Sequence, residues 1–419
     1  MIPVRVMLGR TGPEGVLIQT VVCVLFLSGA KAAVMAGIRR YTGGADEGLK
    51  METSGSILNI SNHCIYILEG HMNSELLKKL PMPDELERTE ILNLLLSEEY
   101  GFLPGPPVGV TADVESEDRS FCAGKAVLKK LKLNCNTGNG IFSFPVSLMY
   151  PAGAEAREEG KSVPCFLYIS FTDRIPDLSF PAEEILDNGF AVLHFCYQDV
   201  TSDDGDFTNG LAGMIYPDEK RGKTQCGKIG LWAWAAGRVM DYACTVPEID
   251  HDRIGVVGHS RLGKTALLAG ALDERFFCAF SNDSGCSGAA LARGTKGETV
   301  WKIYQNFPYW FCEKYGTYAE QEDTMPFDQH FLLAAIAPRR VYVASASQDC
   351  WADPENEYLS CIAAGEYYRN MGLKGFIRPD RDPVPGDCFG EGEIGYHLRA
   401  GTHYLSREDW GHFMEYMRK

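Results

Sequence analysis

Residues 253–268 read RIGVVGHSRLGKTALL and carry the strongest structural signal in the chain. The first half is an apolar run that suits a buried β-strand, and the part after Gly263 has the composition of a helix. Ser260 lies in the short turn between them. A strand, a tight turn holding a serine and a helix are typical of a nucleophile elbow, in which the hydroxyl stands at the carboxyl edge of a sheet.

The match to the general elbow pattern G-x-S-x-G is partial, because the second glycine falls one place late, at Gly263. Two other interpretations stay open. In the first, Ser260 is only the N-cap of the following helix. In the second, the spacing G-x-x-x-x-G-K-[ST], present from Gly258 to Thr265, forms a phosphate loop in a nucleotide-binding protein.

Similar apolar runs lie on both sides of this stretch and alternate with segments of helical composition. The runs are Cys165–Ser170, Phe190–Phe195, Ile254–Val257, Phe277–Ser281 and Val341–Ala344. The helical segments are Pro181–Asn188, Gly230–Ala243, Lys264–Leu272, Tyr358–Asn370 and one that starts at Ser406. Continuous apolar runs suit parallel strands that are buried on both faces. We therefore expect an α/β fold with a mostly parallel sheet and helices on both faces, preceded by antiparallel strands over residues 120–150.

The front of the chain has a different character. Residues 16–30 (VLIQTVVCVLFLSGA) are apolar, and residues 30–32 have the small-x-small form of a signal-peptidase site. The run is shorter than the roughly 18 residues of a membrane span, so a secretory signal is favoured over a transmembrane helix and we expect no membrane association.

Organised sequence begins just past Met72, and we see no linker after it. Residues 1–71 are therefore expected to be a signal-like or unstructured extension, or the product of a misplaced start with Met72 as the true first residue. Residues 84–419 are expected to form a single catalytic domain. A start at Met72 favours a cytoplasmic protein, whereas a real signal peptide favours secretion.

The composition is that of a globular protein with an acidic surface. Hydrophobic residues make up 45% and charged residues 23%, which excludes disordered and coiled-coil classes. Forty basic against fifty-six acidic residues give a net charge of −16, which argues against a nucleic-acid partner. The fourteen cysteines form no C-x-x-C pair, so they favour buried thiols in a reducing compartment over zinc or redox motifs.

A serine nucleophile needs a base to take its proton. Four histidines follow Ser260, at positions 330, 397, 403 and 412. His403 is the best candidate, because it lies in a glycine-containing loop just before the last helix, where the order serine, acid, histidine places the base. The other three lie in strand-like or helical segments and are interpreted as packing or capping residues.

The base in turn needs an acid to orient it. Asp283 and Asp349 each follow a predicted strand, so either side chain can reach His403 across the edge of the sheet. The sequence does not rank the two carboxylates. Each also has a simpler interpretation as a turn or helix-cap residue.

The elbow sequence GHSRLGK and the following SNDSGCSGAAL resemble the glucuronoyl esterases, a carbohydrate esterase family with a G-C-S-R-N-G-K elbow. The similarity continues through WAWAAGRVMDY (232–242), GETV (297–300), FPYWF (307–311), residues 328–354 and His403. Together these motifs span most of 84–419. The resemblance implies a sheet of the α/β-hydrolase type and an esterase that cleaves the ester between lignin alcohols and 4-O-methyl-glucuronic acid on glucuronoxylan.

Carried over by position, the resemblance makes Ser260 the nucleophile and His403 the base, with Asp283 and Asp349 both contributing as acids. It further implies that Arg261 helps to hold the oxyanion. The residues it implies for the sugar are Lys264 and Glu298 on its hydroxyls and Trp351 as an aromatic wall. It implies a carbohydrate ester as the partner and neither a metal nor an organic cofactor.

The sequence departs from the family pattern near the site. His259 stands where the family has cysteine, Leu262 replaces asparagine, and Asp283 replaces the more frequent glutamate. The loop after the run at 165–170 also lacks the usual asparagine. These changes leave an acetyl or other carbohydrate esterase on the same fold as the alternative function.

Overall fold

The computed structural model describes residues 4–11, 17–25, 33–40, 57–61, 64–68, 74–154, 162–216 and 221–419. These residues form two compact units. One unit contains the described segments before residue 69, and the other contains almost all of the described residues after 73. Each unit has its own β-sheet.

The first unit is an antiparallel sheet whose five strands pair in sequence order. They are β1 (Val4–Thr11), β2 (Leu17–Leu25), β3 (Ala33–Arg40), β4 (Ile57–Ser61) and β5 (Cys64–Leu68). Sequence patterning indicated no strand in residues 33–71, where β3, β4 and β5 lie. The sequence of β3, AVMAGIRR, lacks a two-residue alternation of apolar and polar residues. The signal-peptidase-like positions 30–32 and Met72 lie outside the described residues, and a leader or a misplaced start stays a prediction.

The second unit is built on a ten-stranded sheet with the strand order β14-β15-β13-β12-β11-β9-β10-β8-β7-β6. Its strands are β6 (Gly109–Asp118), β7 (Ala126–Asn136), β8 (Ile141–Pro151), β9 (Val163–Ser170), β10 (Ala191–Cys196), β11 (Ile249–His259), β12 (Cys278–Asn282), β13 (Arg340–Ala346), β14 (Asp387–Phe389) and β15 (Ile394–Arg399). The six strands from β15 to β10 are parallel, and the strands at both edges are antiparallel. The predicted mostly parallel α/β sheet is confirmed, and each of the five apolar runs forms one of its parallel strands.

Helices connect these strands. They are α1 (Ser74–Leu77), α2 (Arg88–Leu95), α3 (Phe121–Gly124), α4 (Ala182–Asp187), α5 (Gly210–Ile215), α6 (Lys228–Ala243), α7 (Arg261–Leu272), α8 (Val300–Asn306), α9 (His330–Ala334), α10 (Pro354–Asn370) and α11 (Arg407–Met417). The predicted helical segments correspond to α4, α6, α7, α10 and α11. The first turn of α11 is closed by a capping box in which Ser406 and Asp409 exchange side-chain-to-backbone hydrogen bonds.

Alternate residues of the central strands pack against helices on opposite faces of the sheet. On one face Phe166 contacts Trp410 of α11 edge to face, with ring centroids 5.4 Å apart. On the other face α7 lies so close that a Cβ atom on Gly270 would stand 2.6 Å from the side chain of Ala279. This close packing fixes α7, and with it the turn that precedes α7, against the middle of the sheet.

The twelve cysteines of the second unit are free thiols. Seven of them are buried, and these fill space as small apolar residues do. Among the described residues, no helix combines the length and apolar character that crossing a bilayer requires.

Candidate active site

Four of the predicted site residues follow neighbouring parallel strands at one edge of the sheet. Ser260 follows β11, Asp283 follows β12, Asp349 follows β13, and His403 lies in the loop after β15. Because parallel strands end at a common edge, residues far apart in sequence meet there. Side-chain atoms of Asp283, Asp349 and His403 lie within 4.8 Å of one another.

Ser260 occupies the sharp turn between β11 and α7. Its backbone has φ +57° and ψ −127°, a strained conformation for a residue with a side chain. The turn is so tight that a Cβ atom on Gly258 would stand 1.9 Å from the carbonyl oxygen of Leu262. Ser260 lies at the N-cap position of α7, yet its side chain makes no capping hydrogen bond to the described residues. Capping therefore does not account for this serine, and its hydroxyl is available for chemistry.

His403 contacts Asp349. The Nδ1 atom of His403 lies 2.5 Å from Oδ2 of Asp349. The carboxylate is buried, whereas 42% of the imidazole side chain is exposed. A hydrogen bond from Nδ1 to a buried carboxylate fixes the tautomer, so that Nε2 carries the lone pair that can take a proton. Of the two predicted acids, Asp349 is therefore the one in contact with the predicted base.

Asp283 has different partners, although it lies near the same imidazole. One carboxylate oxygen accepts a hydrogen bond from a backbone amide at the end of β13 (2.8 Å). The other accepts from Arg399 (3.0 Å) and from the amide of Tyr404 (3.3 Å). Burial raises the pKa of Asp283 above its ordinary value. Asp283 thus holds the backbone beside His403 and makes no hydrogen bond to the imidazole.

Arg399, the last residue of β15, holds the loop that carries His403. Its Nη2 donates to the carbonyl oxygen of Thr402 (3.1 Å) and to that of Tyr404. Its Nε donates to both carboxylate oxygens of Asp409 on α11, at 3.0 and 2.9 Å. The loop that carries His403 is therefore tied both to β15 and to the last helix.

A third buried carboxyl group, that of Glu357 on α10, joins the ends of β12 and β13. One oxygen accepts hydrogen bonds from the amides of Ser284 (2.9 Å) and Gly285 (3.0 Å). The other accepts from the hydroxyl of Ser345 (2.5 Å). Burial raises the pKa of Glu357 to about 7. This side chain therefore links the two loops that carry the two candidate acids, and it titrates near neutral pH.

A pH-dependent stability is expected from Glu357. In the unfolded chain its pKa is about 4.3, whereas in the folded protein it is about 7. Between these values only the unfolded state releases the proton, so the free energy of unfolding falls as pH rises through this window and is constant above it. Glu357→Gln cannot ionise, and relative to this variant the wild-type protein should lose stability across the window, as measured by denaturant titration.

The matched control is Glu355→Gln on the same helix, where the side chain is exposed and pairs with Lys296. This control should keep the wild-type pH dependence. Parallel pH profiles for Glu357→Gln and the wild-type protein would contradict a raised pKa at Glu357.

Arg261, the first residue of α7, lies beside Ser260 among aromatic rings and a carboxylate. Its guanidinium carbon is 4.8 Å from the ring centroid of Trp310 and 5.8 Å from that of Phe171. Its Nη1 pairs with the buried Asp203. Its Nε is also buried and has no partner among the described residues. Arg261 thus lies next to Ser260 with one guanidinium N–H uncommitted, and the oxyanion role that the resemblance implies for it stays a prediction.

Lys264, Glu298 and Trp351 form a single chain of hydrogen bonds. The ammonium of Lys264 donates to two backbone carbonyls (Ser284 and Cys286, 2.6 and 2.5 Å) and to Oε2 of Glu298 (3.0 Å). The indole N–H of Trp351 donates to Oε1 of Glu298 (3.2 Å), and 49% of Trp351 is exposed. All three N–H donors of the ammonium are used within the protein. Lys264 therefore orients Glu298, whereas the resemblance implies a direct contact of Lys264 with sugar hydroxyls.

The same contacts argue against the phosphate-loop interpretation. The lysine of a phosphate loop must reach the phosphates, but Lys264 is only 3% exposed. The tight approach of Gly258 to Leu262 also closes the backbone that would have to cradle a nucleotide. The segment from Gly258 to Thr265 is an elbow and not a phosphate loop.

His259, at the position of the family's cysteine, precedes Ser260 in the chain and packs against His403. The centroids of the two imidazole rings are 4.5 Å apart. The Nδ1 of His259 lies 2.6 Å from Oδ1 of Asn282, whose backbone carbonyl oxygen accepts the amide proton of Ser260 (2.9 Å). Burial lowers the pKa of His259 to about 4, so this imidazole is neutral at neutral pH and adds no positive charge beside His403.

Besides His403, three histidines follow Ser260 in the sequence, and all three have structural partners. His330 begins α9, and its Nε2 lies 2.8 Å from a backbone carbonyl oxygen. His397 in β15 lies 2.8 Å from Asp409, and its ring centroid is 4.4 Å from that of His412 on α11. These contacts agree with the sequence interpretation of the three residues as packing or capping residues.

Sequence patterning missed several residues that support the site. They are Asp203, Asn282, Glu357 and Arg399. Each is a single polar residue, and its partners come from distant parts of the chain. The two buried among apolar runs, Asn282 and Arg399, are the ones that a sequence signal could have revealed, because a buried polar group needs specific partners.

Comparison with known proteins gives a consistent result. A family model described as glucuronyl esterase of fungi matches residues 133–372. A carbohydrate esterase from an unknown prokaryotic organism is 33% identical, over 80% of this chain and 84% of that protein. The 4-O-methyl-glucuronoyl methylesterase of Hypocrea jecorina is 28% identical, over 75% of this chain and 61% of that protein.

The fold comparison agrees with the sequence comparison. The solved structure of a glucuronoyl esterase from Solibacter usitatus superimposes with a TM-score of 0.71 at 30% identity. The superposition covers 80% of this chain and 92% of that one. The range matched by the family model includes Ser260, Asp283 and Asp349.

Proposed function

The chain belongs to the glucuronoyl esterase family, and from that premise we propose that it cleaves the ester between lignin alcohols and 4-O-methyl-glucuronic acid on glucuronoxylan. As a member of this family it is a carboxylic ester hydrolase. The observation that carries the proposed mechanism is the contact between His403 and Asp349 at the sheet edge where Ser260 occupies its strained turn.

The first half of the proposed reaction forms an acyl-enzyme. Nε2 of His403 takes the proton of the Ser260 hydroxyl as the serine oxygen attacks the ester carbonyl carbon. Asp349 keeps Nδ1 protonated and stabilises the imidazolium that forms. The tetrahedral intermediate collapses as the C–O bond to the alcohol breaks, and the alcohol leaves with the proton from His403.

The negative charge on the former carbonyl oxygen needs donors in place before the reaction. The backbone amide of Arg261 directly follows the nucleophile, the position that supplies an oxyanion donor in elbows. The buried, unpaired Nε of the same arginine supplies a second donor. A good donor in such a site is worth about 3 kcal/mol of transition-state stabilisation.

The second half of the reaction repeats these steps with water. His403 removes a proton from a water molecule, which attacks the acyl carbon, and the proton then passes to the Ser260 oxygen as that ester bond breaks. The products are the free uronic acid and the restored serine. The proton transfers of both halves pass through His403.

The acid portion of the substrate is assigned to the side of the site that holds Trp351 and Glu298. A half-exposed indole offers an apolar face on which a pyranose ring packs. Its N–H is bonded to Glu298, so the ring is fixed before the sugar arrives. The carboxylate that orients the indole is itself fixed by Lys264.

An assay on two substrates tests the proposed function. Benzyl glucuronate should be hydrolysed, with release of benzyl alcohol, and acetylated xylan should be a poor substrate. A site with a triad but no uronate subsite would give the reverse result. Cleavage of acetylated xylan alone would favour the alternative, an acetyl or other carbohydrate esterase on this fold.

A further inference from the structure

The ion pair between Arg261 and Asp203 places a full negative charge beside the predicted oxyanion ligand. Asp203 lies in the loop between β10 and α5, and only 6% of its side chain is exposed. Its Oδ2 accepts from Arg261 and from the hydroxyl of Tyr197 (2.9 Å). Its Oδ1 accepts from the indole N–H of Trp310 (2.7 Å). These donors hold the carboxylate in one orientation, against one edge of the guanidinium.

The surroundings of the pair limit its contact with water. The guanidinium carbon of Arg261 lies 5.4 Å from the ring centroid of Phe307 and 4.8 Å from that of Trp310. The side chain of Arg261 is 27% exposed. With little water to screen them, the two charges cancel locally while the other edge of the guanidinium keeps its N–H donors.

A substrate ester and a product acid differ in charge at the carbonyl that these donors face. The ester is neutral, and the uronic acid is an anion at neutral pH, since a carboxyl group of this kind ionises near pH 3 to 4. An unpaired arginine binds a carboxylate through charge-assisted, often bidentate hydrogen bonds. Such binding would retain the product and slow the next turnover.

We propose that Asp203 is a specificity-determining residue that neutralises Arg261, so that the site favours the neutral glucuronate ester over the anionic acid it produces. Arg261 then serves as an oriented hydrogen-bond donor without a net charge that attracts carboxylates. The proposal rests on the proposed function, because it takes the glucuronate ester as substrate.

The test measures binding in Ser260→Ala protein, which cannot consume the ester. Affinities for methyl glucuronate and for free glucuronate are determined by titration calorimetry, with Asp203 intact and with Asp203→Asn. The asparagine variant should bind the acid roughly tenfold more tightly relative to the ester, the gain typical of one charge-assisted contact. That gain should shrink as the salt concentration rises.

Asp204→Asn is the matched control. Asp204 is an exposed neighbour in the same loop and accepts from Ser202 (2.6 Å). Its loss removes the same formal charge and leaves the pair between Arg261 and Asp203 in place. The ratio of acid to ester affinity should therefore stay at its original value in this variant.

An unchanged ratio in Asp203→Asn, or an equal gain in Asp204→Asn, would refute the role of Asp203 and leave the esterase assignment standing. Failure of Ser260→Ala protein to bind either ligand would refute the esterase assignment itself. If Asp203→Asn does not fold, the Ser260→Ala protein still decides the matter. Tighter binding of the acid than of the ester would then overturn the proposal, and binding of the ester at least as tightly would support it.

Discussion

Replacing Ser260 by alanine is expected to lower kcat for a glucuronate ester by roughly 10⁵-fold. The variant loses the nucleophile, and what remains is binding and the oxyanion donors of Arg261. The loss corresponds to about 7 kcal/mol of transition-state stabilisation. The measurement is the release of alcohol from benzyl glucuronate under single-turnover and steady-state conditions.

Folding should be little affected by this change, because the hydroxyl of Ser260 makes no capping bond to the described residues. Thermal unfolding of Ser260→Ala should resemble that of the wild-type protein. Ser116→Ala, at an exposed position of the edge strand β6, is the matched control and should keep full activity. Residual activity within about tenfold of the wild-type value would refute Ser260 as the nucleophile.

The second large effect is expected from Asp349→Asn. This change should reduce kcat by about 10³- to 10⁴-fold, because an asparagine amide favours the wrong tautomer of His403 and cannot stabilise the imidazolium. Asp283→Asn should reduce kcat by no more than about tenfold, since Asp349 still accepts the hydrogen bond from His403. Its main effect should be on stability, with about 2 kcal/mol lost because an asparagine cannot accept all the hydrogen bonds that Asp283 accepts from Arg399 and two backbone amides.

The two aspartate variants are each other's control, because both remove one buried carboxylate from the same edge of the sheet. Steady-state kinetics and denaturant unfolding on the pair separate catalysis from stability. A larger catalytic loss in Asp283→Asn than in Asp349→Asn would reverse the assignment. Equal partial losses would instead mean that both acids support the base.

Much of this architecture follows from local sequence. The continuous apolar runs predict the parallel strands, because a strand buried on both faces carries apolar residues at successive positions. The elbow is evident because a serine between a strand and a helix needs small neighbours, and Gly258 meets that need. His403 is recognisable by its place in a loop before the last helix.

The ranking of the two acids lies beyond local sequence. Asp283 and Asp349 both follow strands, and what separates them is the position of Arg399, which pairs with Asp283 from a strand far along the chain. The role of Lys264 differs for a similar reason. Its acceptors are supplied by the loop after β12 and by Glu298. Lys264, which the resemblance places on sugar hydroxyls, is therefore a buried group that orients Glu298.

The position of β15 has a consequence for how activity arises during folding. This strand pairs with β13 although more than 40 residues of chain, including α10, lie between them. His403 reaches the site only when that long-range pairing forms, whereas the elbow is made by β11 and α7, which are adjacent in sequence. Contacts of high sequence separation form at a larger entropic cost than local ones. Esterase activity would therefore depend on the pairing of β15 with β13. A chain in which β15 is detached would keep the elbow and Ser260 but would lack the base, His403.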